Sequence, residues 1–128
     1  MLNKVTLLGL IPEITGFEGT DRHYGGSWYC KYNFDVEEHE RYHVIFGWYE
    51  LVDYDGQTYV FGYDWEEEKF FEIAAYHCSC YGLQQKWDPE YFDTVELLSA
   101  YLAKFKDQPA DNGQQTLIEF LKKNNIEV

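Results

Sequence analysis

The chain has 128 residues, 45% of them hydrophobic and 20% aromatic, and carries a formal charge of −13. That length suits one domain with one core, and that composition argues against wholesale disorder. The charge argues against direct binding to nucleic acid or to an anionic membrane, and favours a partner with a basic surface.

The opening MLNKVTLLGLIPEIT is apolar but lacks a secretory pattern: one Lys precedes a short apolar run, and Pro12-Glu13 follows where small cleavage-site residues belong. No stretch approaches the roughly 20 apolar residues that span a bilayer. Residues 1–26 are the least legible, and Thr15 to Gly26, with four Gly, reads as a loop. The three cysteines are an odd number, which speaks against a secreted disulfide framework and for a reducing cytoplasm.

The middle of the chain reads as strands. In WYCKYNF, Trp28, Cys30, Tyr32 and Phe34 alternate with Tyr29, Lys31 and Asn33, the period of a strand. RYHVIFGWYEL and QTYVFGYDW flank Asp55-Gly56, a two-residue hairpin signal, and KFFEIAAYH returns after an acidic turn at Glu66-Glu67. Four antiparallel strands in meander order over 27–80 are the simplest account. After Trp87 the period becomes helical. Asp88-Pro89 suits a short turn, and Asp93 with Glu96 three residues on forms a capping box. Leu98, Tyr101, Leu102 and Phe105 follow at helical spacing. Asp111 or Asn112 caps a last helix whose Leu117, Ile118 and Leu121 face inward, and Asn124-Asn125 stops it. The whole reads as a single α+β domain over 1–128, a four-stranded antiparallel meander packed on two helices within 88–125.

Pairing about Asp55-Gly56 sets Trp48 opposite Tyr63, Glu50 opposite Phe61 and Phe46 opposite Trp65. A turn at Glu66-Glu67 sets Tyr63 opposite Phe70 and Phe61 opposite Glu72. One face then carries Phe46, Trp48, Glu50, Phe61, Tyr63, Trp65, Phe70 and Glu72. The other carries Ile45, Leu51, Val60, Ile73 and Ala75, with Tyr49 and Phe71 flanking Gly62. The aliphatic face is the natural seat for the helices. The ring face holds carboxylates, which are costly to bury without partners and so predict access to water. The competing expectation is that residues 1–25 fold over the rings as a second core layer.

Between Asp35 and Ala75 stand twelve acids against only Arg41 and Lys69, so this stretch holds −10 of the −13. A charge run is most often a solvated surface. Beside a ring face it also makes a negative rim, and Trp48, Glu50, Phe61, Tyr63, Trp65, Glu66, Glu67, Glu68 and Glu72 become the candidate partner-binding residues. An open ring face suits a monomer that meets a partner or a homodimer equally.

AAYHCSCYGLQQKW raises the question of metal. A tetrahedral site needs four ligands, and Cys78 and Cys80 supply two, with Cys30 and His43 the only supplements on neighbouring strands. No second pair at ligand spacing exists. A thiol nucleophile needs an oriented base, and His77 faces away from Cys78 on a strand. The plain reading is a strand running into a turn at Tyr81-Gly82, with no cofactor. No acid–base pair stands out from the general acidity, so the chain does not read as an enzyme.

His77 to Leu83, HCSCYGL, followed by a short polar spacer, Trp87, and Pro89-Glu90, resembles a recurrent pattern in small uncharacterised proteins of tailed bacteriophages. Gln84-Gln85-Lys86 stands where that pattern more usually has Glu-Gly-Gln. The resemblance implies a phage or prophage origin, hence the cytoplasm of a bacterial host, and no catalytic residues. Together these readings predict a small acidic phage-type protein that acts by binding, as a nucleic-acid mimic or inhibitor of a basic host nucleic-acid-handling or defence protein. The alternatives are a metal- or small-ligand-binding domain centred on Cys78 and Cys80, and a phage structural or accessory protein.

Overall fold

The computed structural model of the protein describes residues 2–15, 41–52, 55–78, 89–107 and 113–128. Helix α1 (Lys4–Leu8) starts at Asn3, whose side chain accepts the Thr6 amide at 2.8 Å. Strands β1 (Glu13–Thr15), β2 (Tyr42–Val52), β3 (Asp55–Asp64), β4 (Lys69–Cys78) and β5 (Glu90–Phe92) form one sheet in chain order, followed by α2 (Val95–Ala103) and α3 (Gly113–Lys123). β2 to β5 pair antiparallel as a meander, and β1 lies parallel to β2 at one edge. The class is α+β, as the sequence pattern predicts. The strand expected over 28–34 lies outside the described residues. Pro89 leads into the short edge strand β5 rather than into a helical turn.

The β3–β4 register agrees with expectation, with Tyr63 opposite Phe70 and Phe61 opposite Glu72. The β2–β3 register differs. Asp55 and Gly56 are not the loop but the last rungs of the ladder, opposite Val52 and Leu51. Phe46 therefore faces Phe61, and Trp48 faces Tyr59. Closing the hairpin two residues earlier moves each β2 residue from Phe46 to Val52 four places along β3, and because that shift is even, those residues keep their faces. A bulge between Val44 and Phe46 leaves Ile45 unpaired, and Ile45 joins the ring-side core instead of the aliphatic side expected of it.

The helices pack on the opposite face from the one expected. Phe46, Tyr59, Phe61, Tyr63 and Phe70, none more than 4% exposed, meet Leu98 and Leu102 of α2 and Leu117, Ile118, Phe120 and Leu121 of α3. Leu2 and Leu7 from the amino-terminal segment enter the same core, so the covering of the rings is shared between both ends of the chain. Phe61 stacks on Phe70 at 5.7 Å, Tyr63 meets Phe70 edge-on at 4.9 Å, and Phe46 meets Phe120 at 5.1 Å. Rings of this size remove the most apolar surface from water, at about 25 cal/mol per Å², so they outcompete the aliphatic face for the Leu-rich helices. The aliphatic face is nonetheless buried too, at Val44, Val60, Phe71 and Ile73. Gly62 sits there under the Phe71 ring, and a Cβ would lie 2.5 Å from the His43 carbonyl oxygen.

α2 begins one residue later than the capping box predicts. Thr94 is the cap, its Oγ1 accepting the Leu97 amide at 3.1 Å, and Asp93 instead pairs with Lys69 at 2.9 Å. α3 ends where Asn124-Asn125 predict. Asn125 takes φ 65°, its amide donates to the Lys122 carbonyl, and the Ile126 amide reaches back to the Leu121 carbonyl at 2.9 Å. This left-handed cap turns Ile126 into the core, where it is 4% exposed.

Candidate functional site

Two buried carboxylates organise the described part of the molecule. Asp64, the last residue of β3, is fully buried and accepts five hydrogen bonds. Arg41 grips it with both edges of the fork, Nε to Oδ1 at 2.9 Å and Nη2 to Oδ2 at 2.8 Å. The Tyr91 hydroxyl donates to Oδ2 at 2.7 Å, and the Glu66 and Glu67 amides donate to Oδ1 at 2.9 and 3.2 Å. Burial pushes the Asp64 pKa up, but Arg41, Tyr91 and the two amides together outweigh it and hold it below its ordinary value. The same contacts push Tyr91 up, through burial first and then the Asp64 carboxylate. Arg41 also lies 5.0 Å over the Tyr42 ring.

That clamp fixes the four-residue turn Trp65–Glu68. The Trp65 amide donates to the Arg41 carbonyl at 2.9 Å, and the Glu68 amide to the Asp64 carbonyl at 2.7 Å. Glu68 sits at φ 55°, a left-handed position that favours glycine. Trp65 is 52% exposed and leans edge-on against Tyr63 at 4.9 Å, while Glu66, Glu67 and Glu68 all face water. Arg41 Nη1 lies 3.5 Å from the exposed Glu66 carboxylate, and Lys4 lies 5.1 Å over the Tyr63 ring. The tip thus presents one exposed indole beside three carboxylates.

Glu72 of β4 is the second carboxylate. It is 5% exposed, on the ring side, under the helices. The Tyr59 hydroxyl donates to Oε1 at 2.7 Å, the Tyr101 hydroxyl donates to Oε2, and the Gln114 amide reaches the Tyr101 hydroxyl at 3.3 Å. Burial lifts Glu72 above its ordinary value, the hydrogen bonds from Tyr101, Tyr59 and Gln114 offset part of that, and nearby Glu90 adds to the rise. Burial and then Glu72 push Tyr59 well up, and burial and the Glu72 bond do the same to Tyr101. A carboxyl with a raised pKa between two hydroxyls is a group that can hold or release a proton.

The nine candidate partner-binding residues therefore separate. Trp65, Glu66, Glu67 and Glu68 come together on the exposed tip. Phe61, Tyr63 and Glu72 are buried under the helices and present nothing to a partner, because Glu72 finds its partners in tyrosine hydroxyls rather than in water. Trp48 and Glu50 are placed by the backbone, opposite Tyr59 and Gln57. Sequence reasoning missed Asp64, Arg41 and Tyr91 as a unit, and missed Tyr59 and Tyr101 as partners for Glu72. The signal for the latter pair was available: Tyr59 lies on the same face of β3 as Phe61, and Tyr101 lies on the apolar stripe of α2.

Of the metal candidates, Cys30 and Cys80 lie outside the described residues. His43 pairs with Tyr63 and Cys78 with Asp55, at opposite ends of β3. Eight residues of strand separate those rungs, on the order of 26 Å at about 3.3 Å per residue, so His43 cannot share a metal with Cys78. Among the described residues no cluster of three or more His, Cys, Asp or Glu is placed to hold a metal, and no helix is long and apolar enough to cross a membrane. Two surface grooves lie on the helical side, one about 350 Å³ between Lys106, Ile118, Lys122 and Ile126, the other about 440 Å³ between Leu2, Val95, Ala100 and Ala103. Neither is lined by Asp64 or Glu72. Comparison with protein-family models, curated proteins and solved structures finds no match for the chain.

Proposed function

We propose that the protein works by binding, with the Trp65–Glu68 tip as the contact that engages a basic surface on a partner protein. The observation that carries this reading is the tip itself: a half-exposed indole propped on Tyr63, flanked by three solvent-facing carboxylates, on a turn fixed by the Asp64–Arg41 clamp. Carboxylates speed encounter with a positive surface, and a central aromatic anchor slows release. The overall charge of −13 works in the same direction. With the resemblance of residues 77–90 to small tailed-phage proteins, the partner class is a basic host protein that handles nucleic acid or serves defence, and the acidic tip acts as a mimic of the phosphate backbone.

The test compares baits in a bacterial lysate at low and moderate salt: the wild-type chain, Trp65→Ala, and the triple change Glu66→Gln, Glu67→Gln, Glu68→Gln. A basic protein retained by the wild type should bind the Trp65→Ala chain at least about 30-fold more weakly, the loss typical of a hot-spot aromatic. The triple variant should lose chiefly the salt-sensitive part. Retention of the same proteins by all three baits removes the tip from the function.

A further inference from the structure

Glu72 is an acceptor-only group when ionised, and what it accepts are two hydroxyl protons, one on each oxygen. Among the described residues no cation pairs with it. The groups that face it are Tyr59 from β3, Glu90 from β5 (paired with Glu72 across the ladder), Tyr101 from α2 and the neutral Gln114 from α3. Among the described residues, a negative charge at this position is held by neutral dipoles, the two hydroxyls and the Gln114 amide, beside a second carboxylate, where the sheet meets both C-terminal helices.

We propose that the Glu72 carboxyl is a proton-operated latch between the sheet and the helices α2 and α3: in its neutral form it holds them docked, and in its ionised form it loosens them. The proton goes to Oε2. Tyr59 is 1% exposed and its hydroxyl donates to Oε1, so it keeps that bond in either state. Tyr101 is only half-buried, so it can turn its own proton outward and accept from Glu72. Deprotonation leaves a charge that only water can solvate well, and water reaches it when α2 and α3 lift. The direction follows from the folded group lying above its ordinary value of 4.5. Its stabilisation is complete below the unfolded value and is lost as pH rises through the folded value.

The experiment uses the full chain. The Glu72 side-chain carboxyl is followed by carbon-13 NMR through a pH titration, and exchange of the α2 and α3 amides is measured over the same range and corrected for intrinsic rates. The wild type is compared with Glu72→Gln and Tyr101→Phe. The expected result is a Glu72 midpoint above 4.5, and α2–α3 opening that increases by up to about tenfold per pH unit through that midpoint in the wild type and stays flat in Glu72→Gln. Tyr101→Phe, which removes a donor to the anion, moves the midpoint further up. A Glu72 titration at or below the ordinary value overturns the latch, as do identical opening profiles in the wild type and Glu72→Gln. If Glu72→Gln does not fold, the wild type decides alone: its carboxyl and exchange midpoints must coincide, and a mismatch rejects the proposal.

Discussion

Replacing Asp64 by Asn keeps the shape of the side chain and removes its charge, in a site built only of donors. Oδ1 receives the Arg41 Nε and two backbone amides, and Oδ2 receives Arg41 Nη2 and the Tyr91 hydroxyl. An Asn must therefore aim its NH₂ at a donor. The milder choice keeps oxygen at the Oδ1 position, lets Tyr91 turn round to accept, and leaves Arg41 Nη2 unmatched. Breaking one side of a buried pair costs about 3–5 kcal/mol. Arg41 remains 23% exposed, so water takes over part of its solvation and the lower end applies, about 3 kcal/mol. Urea unfolding reads this directly. With a slope near 2 kcal/mol per molar for a chain of this size, the midpoint falls by about 1.5 M at unchanged slope, and the melting temperature by about 10 °C. The pH dependence gives a second check. Asp64 in the fold lies below its ordinary value of 3.8. Its contribution is present above that unfolded value and is lost as pH falls through the folded one, so the gap between wild type and Asp64→Asn narrows only in strong acid. A midpoint change below about 0.3 M, or a gap that widens in acid, refutes the clamp as described.

Two further changes test the packing around these sites. Gly113→Ala places a Cβ 2.3 Å from both Cβ and Cγ of Tyr59, so α3 must move off β3; thermal unfolding should show a loss of about 1–3 kcal/mol, and an unchanged melting temperature contradicts the close approach. Glu68→Gly relieves a left-handed position without touching the clamp, and denaturant unfolding should find it neutral to about 1 kcal/mol more stable.

Much of the sheet is legible from pattern alone. Glu66-Glu67 centres the β3–β4 turn because an acidic run between two aromatic runs leaves no other place for it, and β4 then falls into register. α3 is legible for the same reason at both levels: its apolar spacing gives the buried stripe Leu117, Ile118 and Leu121, and Asn125 accepts the left-handed φ that ends it. The face the helices choose is not legible from charge. A carboxylate among rings predicts water when read strand by strand, but Glu72 is satisfied by Tyr59 from the next strand and Tyr101 from a helix about 30 residues away, a pairing that exists only once the chain is folded. The Asp55-Gly56 signal fails differently. Its local turn preference is outweighed by the ladder as a whole, which runs from Tyr42 opposite Asp64 to Val52 opposite Asp55. The tip was half legible: its acids and Trp65 are plain in the sequence, whereas the clamp joins positions 41, 64 and 91.

The even offset between the expected and observed hairpins has a consequence for folding. Sliding β2 along β3 by the four residues that separate the two alignments exchanges no inward side chain for an outward one over Phe46–Val52, so hydrophobic patterning there discriminates poorly between them. Arg41 reaches Asp64 only when Tyr42 stands opposite that same residue, and the slipped alignment forfeits the ion pair. The buried salt bridge thereby acts as a key that selects one alignment from a near-degenerate pair. A chain deprived of it should fold more slowly and carry a misaligned minority, visible as a second set of β2 amide resonances.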